Sequence, residues 1–213
     1  RMVWGRTLPS RWRCWRRAAE SGVHVRRRGG HGLMDVVDAI AQSCDVYFYE
    51  IARRVGIDRI AEMAVRFGLG DPTGLDLPGE KPGLMPTKAW KREARDQSWH
   101  QGETLLAGIG QGYVLVTPLQ LAVMTARLVN GGFAVSPQLT KSVSTTGVHT
   151  VPERHEFPQI GVNSRNLAII REAMVKVVNT PHGTAHRSAI DDPRSRVGES
   201  VAGPSPPGYA GGG

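Results

Sequence analysis

The run Gln42-Ser43-Cys44-Asp45-Val46-Tyr47-Phe48-Tyr49-Glu50 places a polar Ser-x-Asp step between two apolar segments. The segment before it, from Met34 to Gln42, has apolar residues at helical spacing. The segment after it repeats apolar residues at i, i+3, i+4 and i+7 until Gly56. A chain with this pattern must form two helices joined at a short polar turn. The pattern predicts that a side chain of the Ser-x-Asp step caps the second helix.

Three further helices are predicted downstream. Ile57 begins a helix with one apolar face, which ends before Gly68. Thr117-Pro118 is a strong helix start, and this helix carries apolar residues on two faces, so we expect it to be buried on most sides. Ser164 opens a last amphipathic helix that ends before Pro181.

The remaining segments have weaker patterns. Residues 71–103 are rich in Pro and Gly, which is typical of a long surface excursion, with a short helix expected from Thr87 to Arg95. Phe133 to Val143 and Gly147 to Val151 are predicted as short strands. The tail from Ser200 to Gly213 is Gly, Pro, Ser and Ala with one Val and one Tyr, and disorder is expected there.

The net charge of +8 is carried unevenly, because nine arginines fall in the first 28 residues. This basic segment also contains tryptophans, a combination that can bind nucleic acid. It has no sustained apolar period and no recognisable nucleic-acid-binding fold, so we expect no nucleic-acid partner.

No apolar run approaches the ~20 residues that span a bilayer, and the opening residues do not form a signal peptide. The chain is therefore expected to carry no membrane segment or signal of its own.

Seven blocks occur in an order that resembles one known family. They are Gly29-Gly30-His31-Gly32, Gln42 to Tyr49, Val55 to Ile60, Phe67 to Gly70, Gly108 to Tyr113, Thr117 to Gln120, and Asn179-Thr180-Pro181-His182-Gly183-Thr184-Ala185. Together they resemble the transpeptidase domain of the penicillin-binding protein 2 family, the class B peptidoglycan D,D-transpeptidases. The resemblance implies an α+β fold of the serine transpeptidase and β-lactamase type.

The resemblance implies a serine-type D-Ala-D-Ala transpeptidase that cross-links peptidoglycan stem peptides in cell elongation and shape. Ser43 and Asp45 match the first and third positions of the second catalytic motif, which serve proton relay and lysine and substrate positioning. The implied partners are the stem peptide, β-lactams and the elongation machinery, at the periplasmic face of the bacterial inner membrane. No cofactor is required for this reaction.

Two motifs of the family are not found in the sequence. None of the five lysines has a serine three positions before it, and none is followed by Thr-Gly or Ser-Gly. We therefore expect the chain as written to be inactive. It would be the mainly helical part of an incomplete domain, with most of the central antiparallel sheet missing and with frameshifts or truncations at both ends. The expected organisation is an irregular basic segment at 1–28, a partial transpeptidase domain at 29–194 and a disordered tail at 195–213. The alternative is a non-catalytic binding or scaffold remnant.

Two sets of residues have competing interpretations. Ser43 and Asp45 could merely cap a helix, but the family context favours the motif. His31 and Cys44 match positions at which some family members bind zinc, with Cys14 as a displaced third ligand. The alternative is a loop histidine and a small buried thiol, and we expect no obligatory metal.

Overall fold

The computed structural model describes residues 12–13, 31–75, 78–139, 143–145, 148–150 and 157–188. Within these ranges the chain is mainly helical. The helices are α1 (Val36–Ala41), α2 (Asp45–Val55), α3 (Ile57–Arg66), α4 (Lys88–Arg95), α5 (Gln101–Ala107), α6 (Pro118–Val129) and α7 (Ser164–Asn179), followed by a 3-10 turn at His186–Ser188. The strands are β1 (Trp12–Arg13), β2 (Leu33–Met34), β3 (Val143–Thr145) and β4 (Val148–Thr150).

Helix α6 begins at the capping residue that the sequence predicts. The Thr117 hydroxyl accepts a hydrogen bond from the amide of Gln120 at 3.1 Å, and Pro118 occupies the first turn of α6. Thr87 caps α4 in the same way through the amide of Trp90. These local signals fix the start of each helix before any tertiary contact is considered.

The strands form two antiparallel ladders of two strands each within the described ranges. β1 pairs with β2, and β3 pairs with β4. The interpretation of residues 1–28 as irregular differs from the structure at Trp12–Arg13, because this pairing depends on a partner far along the chain rather than on a local period. The remainder of that segment and the 195–213 tail lie outside the described residues. Phe133 forms an isolated bridge to Gln159, so the predicted strand beginning there is shorter than expected.

The core around α1 and α2 is built from Met34, Ala39, Cys44 and Tyr47, all buried. α1 packs mainly against α7, and α2 packs mainly against α5. Ala39 and Ala173, on α1 and α7, are completely buried, and such small side chains allow two helices to approach closely. The turn between α1 and α2 is therefore supported from two sides.

The prediction that α6 is buried on most sides is wrong for the described part of the chain. Only Gln120 and Val123 of this helix are buried, while Leu121 and Val129 are 44% and 48% exposed. One face of α6 packs against its neighbours and its other apolar face has no cover among the described residues. None of the helices described is long and apolar enough to cross a bilayer.

Gln120 connects α6 to the Pro- and Gly-rich segment that precedes it. The side chain is completely buried, and its Nε2 donates to the carbonyl oxygens of Asp71 and Pro82, both at 2.8 Å. Its Oε1 accepts from the amide of Thr117 at 3.0 Å. A Cβ on Gly83 would lie 2.4 Å from the carbonyl oxygen of Leu115, so only glycine fits there. The segment is thus attached to the domain at defined points rather than being a free surface loop.

Candidate active site

The Ser-x-Asp step forms a tight turn between α1 and α2. Ser43 has φ of +50°, in the left-handed region that residues other than glycine rarely adopt. The turn is fixed by hydrogen bonds from the amide of Ser43 to Ile40 (3.2 Å) and from the amide of Cys44 to Ala39 (2.9 Å). Because these bonds close the C-terminal end of α1, the conformation of Ser43 is determined by its neighbours.

The three side chains of the step divide between the core and the surface. Cys44 is 1% exposed, whereas Ser43 and Asp45 are both exposed. Cys44 is the N-cap residue of α2 and makes no side-chain capping bond, so the predicted capping side chain is not found. Burial raises the pKa of the neighbouring Tyr47, and the charges of Asp35 and Cys44 add to this effect. The turn therefore presents one hydroxyl and one carboxylate to solvent above an apolar base.

The hydroxyl of Ser43 meets a residue from the far end of the described chain. Ser43 Oγ lies 3.2 Å from Oγ1 of Thr184, 141 residues later. The amide of Thr184 also donates to the carbonyl oxygen of Ala41 at 3.1 Å. The structure thus brings together two of the sequence blocks singled out above. Sequence reasoning assigned no role to Thr184 itself.

The segment Gly108 to Tyr113 packs beside α2 through Gly108. A Cβ on Gly108 would lie 2.4 Å from the Cβ of Ala52, which is 2% exposed. Such a distance is shorter than any real contact between two methyl groups. Gly108 is therefore required for the close approach of α5 to the helix that begins with the Ser-x-Asp step.

We predict that Gly108→Ala destabilises the protein by about 1–3 kcal/mol, because the added methyl group must push α5 away from α2. The measurement is chemical denaturation monitored by circular dichroism. The matched control is Gly102→Ala in α5, where a Cβ has open space and the substitution should be neutral or stabilising. Equal stability losses in both variants would contradict the close-packing interpretation.

A cluster of side chains joins this segment to α4 and α5: Lys91, Glu103, Trp99, Thr104 and Tyr113, here called the Lys91 cluster, in which Lys91 and Thr104 are buried. Lys91 is 2% exposed, and its Nζ forms an ion pair with Glu103 Oε1. The same Nζ lies 5.9 Å and 5.8 Å from the ring centroids of Trp99 and Tyr113. Trp99 Nε1 donates to the hydroxyl of Thr104 at 2.8 Å. Most of the described residues between 71 and 103 are exposed or half-buried, as a surface excursion requires, and Lys91 is an exception that the sequence did not predict.

Glu103 has two roles in this cluster. Besides pairing with Lys91, its Oε2 accepts from the amide of His100 at 2.7 Å, at the start of α5. Burial opposes ionisation of Glu103, but the His100 amide and the Lys91 ammonium outweigh it and lower the pKa of the carboxyl group. Little in the sequence indicates this ion pair, because Lys91 is one of several charged residues in the short helix α4.

The sequence profile of the penicillin binding protein transpeptidase domain matches residues 11–198, most of the chain. The chain belongs to the penicillin-binding protein transpeptidase family. A curated relative, the peptidoglycan D,D-transpeptidase MrdA of Salmonella typhimurium, is 38% identical over 164 residues. That match covers 76% of this chain and 26% of the relative, so the chain spans about a quarter of the length of that relative.

Solved structures place this penicillin-binding protein chain in the transpeptidase fold. PBP2 of Pseudomonas aeruginosa, in complex with WCK 5153, has a TM-score of 0.70 and 40% identity, over 78% of this chain and 38% of the other. PBP2 of Helicobacter pylori, in complex with MreC, has a TM-score of 0.66 and 31% identity, over 76% of this chain and 29% of the other. The expected α+β fold is confirmed, and the described part is its mainly helical portion.

The residues singled out for zinc occupy different environments in this transpeptidase domain. His31 Nδ1 is buried and has no hydrogen-bond partner among the described residues. Cys44 is buried in the core. The described ranges contain no group of three or more His, Cys, Asp or Glu residues that could hold a metal ion. Cys14 lies outside those ranges, so the described residues alone do not make up a four-ligand zinc centre.

Proposed function

We propose that these 213 residues carry the second catalytic motif of a peptidoglycan D,D-transpeptidase of the PBP2 type, which cross-links stem peptides during cell elongation. The observation that supports this most directly is the turn at Ser43-Cys44-Asp45, where a hydroxyl and a carboxylate are exposed above a buried cysteine. Two similar proteins also support it: MrdA, which is named a peptidoglycan D,D-transpeptidase, and PBP2 of Pseudomonas aeruginosa.

The reaction is an acyl transfer in two steps. A serine oxygen bonds to the penultimate D-alanine carbonyl carbon, and the bond from that carbon to the terminal D-alanine nitrogen breaks. An amine from a neighbouring strand then bonds to the same carbon, and the serine oxygen leaves. In each step a proton must reach or leave a nitrogen, which is the role we assign to the hydroxyl of Ser43. Asp45 would hold the substrate amide and the catalytic lysine.

The 213 residues contain neither Ser-x-x-Lys, the motif that supplies the nucleophilic serine and its lysine, nor Lys-Thr/Ser-Gly. We therefore propose that the 213 residues alone form no covalent adduct with a β-lactam, since a relay hydroxyl without a nucleophile transfers no acyl group. By family resemblance, we propose that the reaction takes place at the periplasmic face of the inner membrane. The PBP2 and MreC complex supports an elongation-machinery partner for this chain.

The test compares labelling by a fluorescent penicillin in the 213-residue protein and in the complete product of its gene. We expect an adduct with the complete product only. Ser43→Ala in that product should slow acylation by a factor on the order of 10², the lower range for loss of a positioned acid or base. The matched control is Ser136→Ala, an exposed serine outside the site, which should not change the rate. Wild-type acylation by Ser43→Ala would contradict the assigned role.

The second candidate function is a non-catalytic binding or scaffold role supported by zinc. The observation in its favour is that the buried Nδ1 of His31 has no hydrogen-bond partner among the described residues. Zinc content of the purified complete product decides between the two functions when combined with the labelling result. Stoichiometric zinc without any adduct would favour the scaffold, and an adduct would favour the transpeptidase. No step of the proposed reaction passes through the metal.

A further inference from the structure

Ser43 is exposed and lies on a turn with a positive φ. Its own surroundings therefore do not determine which way the hydroxyl points. An exposed serine side chain populates several staggered rotamers, each of which aims the hydroxyl differently. A proton relay requires one of these directions. In the described structure, Ser43 Oγ makes a hydrogen bond with Thr184 Oγ1 at 3.2 Å, which selects a single rotamer.

Thr184 is itself held in place through its backbone. Its amide donates to Ala41 at the end of α1, and the next amide, of Ala185, donates to Val177 at the end of α7, both at 3.1 Å. The preceding residue must be glycine, because a Cβ on Gly183 would lie 2.2 Å from the carbonyl oxygen of Val177. The backbone of Thr184 therefore has a fixed position relative to both helices, and its hydroxyl starts from a fixed Cα.

We propose that Thr184 is a positioning residue for the hydroxyl of Ser43, an inference that rests on the proposed transpeptidase function. A threonine hydroxyl both donates and accepts a hydrogen bond. When Thr184 donates to Ser43 Oγ, Ser43 passes its own proton to the leaving nitrogen and takes up the proton that the nucleophilic serine gave to the catalytic lysine. In the second step these transfers run in reverse: Ser43 takes a proton from the attacking amine, and the lysine returns one to the departing serine oxygen. A single contact thus serves both steps without a change of rotamer.

The test uses three variants of the complete gene product and the rate of acylation by a fluorescent penicillin. Thr184→Val removes the hydroxyl and keeps the shape, and it should slow acylation about 10-fold, equivalent to one net hydrogen bond of about 1.4 kcal/mol. Thr184→Ser restores the hydroxyl and should recover most of the rate. Thr125→Val, on the exposed face of α6, is the matched control and should leave the rate unchanged. Melting temperatures of all three report whether each variant folds.

Two further variants separate this inference from the proposed function. In a Ser43→Ala background, Thr184→Val should cause no additional loss of rate, because the hydroxyl it positions is already gone. A slow Ser43→Ala together with a wild-type Thr184→Val would overturn the inference and leave the function standing. An unchanged rate for Ser43→Ala would overturn both.

A complete product that reacts with no β-lactam would overturn the proposed function. In that case melting temperatures test the hydrogen bond between Ser43 and Thr184. In the 213-residue protein, Ser43→Ala, Thr184→Val and the double variant should deviate from additivity by about 2–4 °C if one hydrogen bond joins the two side chains. Additive shifts in melting temperature would overturn the contact itself.

Discussion

Lys91→Met is expected to lower the free energy of unfolding by about 3–5 kcal/mol, the cost of removing one partner from a buried ion pair. Lys91 is 2% exposed and Glu103 is 19% exposed, so the carboxylate left behind would have little access to water. The substitution also removes the cation that lies near the rings of Trp99 and Tyr113. Most of the loss comes from the uncompensated charge of Glu103 rather than from a lost attraction.

The measurement is urea denaturation of the 213-residue protein, with the midpoint and slope determined for each variant. Lys88→Met is a matched control on the same helix, because Lys88 pairs with Asp58 at 3.4 Å but is 63% exposed. An exposed pair of this kind contributes about 0–1 kcal/mol. The double variant Lys91→Met and Glu103→Leu should recover part of the loss, limited by the amide of His100 that Glu103 caps. Similar losses for Lys88→Met and Lys91→Met would contradict the buried ion pair.

Gln120→Leu is expected to destabilise the protein by roughly 3 kcal/mol, although leucine has a similar volume and higher hydrophobicity. The substitution removes three hydrogen bonds and leaves the carbonyl groups of Asp71 and Pro82 and the amide of Thr117 without their partner. Since Gln120 connects α6 to the preceding segment, the loss should also loosen residues 71–83.

Urea denaturation gives the stability change, and hydrogen exchange of the amides in residues 71–83 gives the local effect. The control is Gln138→Leu, because Gln138 is exposed and the same change there should alter stability by less than about 0.5 kcal/mol. A Gln120→Leu variant as stable as the wild type, with unchanged exchange, would show that water replaces the three hydrogen bonds.

The sequence predicted the elements whose signals are local. Thr87, Thr117 and Pro118 each begin a helix because a capping hydroxyl or a fixed φ acts within one turn. The candidate site at Ser43 and Asp45 was found by the order of short blocks rather than by any single motif, and the family is confirmed. The roles assigned to the two residues stay predictions.

The contacts that the sequence could not predict join residues far apart in the chain. Ser43 and Thr184 are 141 positions apart, and neither residue type predicts the other. The burial of Lys91 depends on Glu103, which follows after a break between two helices. The prediction that α6 is buried on most sides was wrong, because an apolar face in the sequence does not show which other element packs against it. Residue pattern determines local structure, whereas tertiary packing determines which of these faces meet.

The tie between Thr184 and the end of α1 has a consequence for the order of folding. Helices α1 and α2 can form soon after synthesis, but the contact that fixes Ser43 closes a loop of 141 residues. At about 5–20 residues per second, the ribosome needs on the order of ten seconds to deliver Thr184 after Ser43. During that interval the turn lacks its partner and the end of α1 keeps an unpaired carbonyl group at Ala41. The contact between Ser43 and Thr184 is therefore a late product of synthesis, formed only after nearly all of the described chain has emerged.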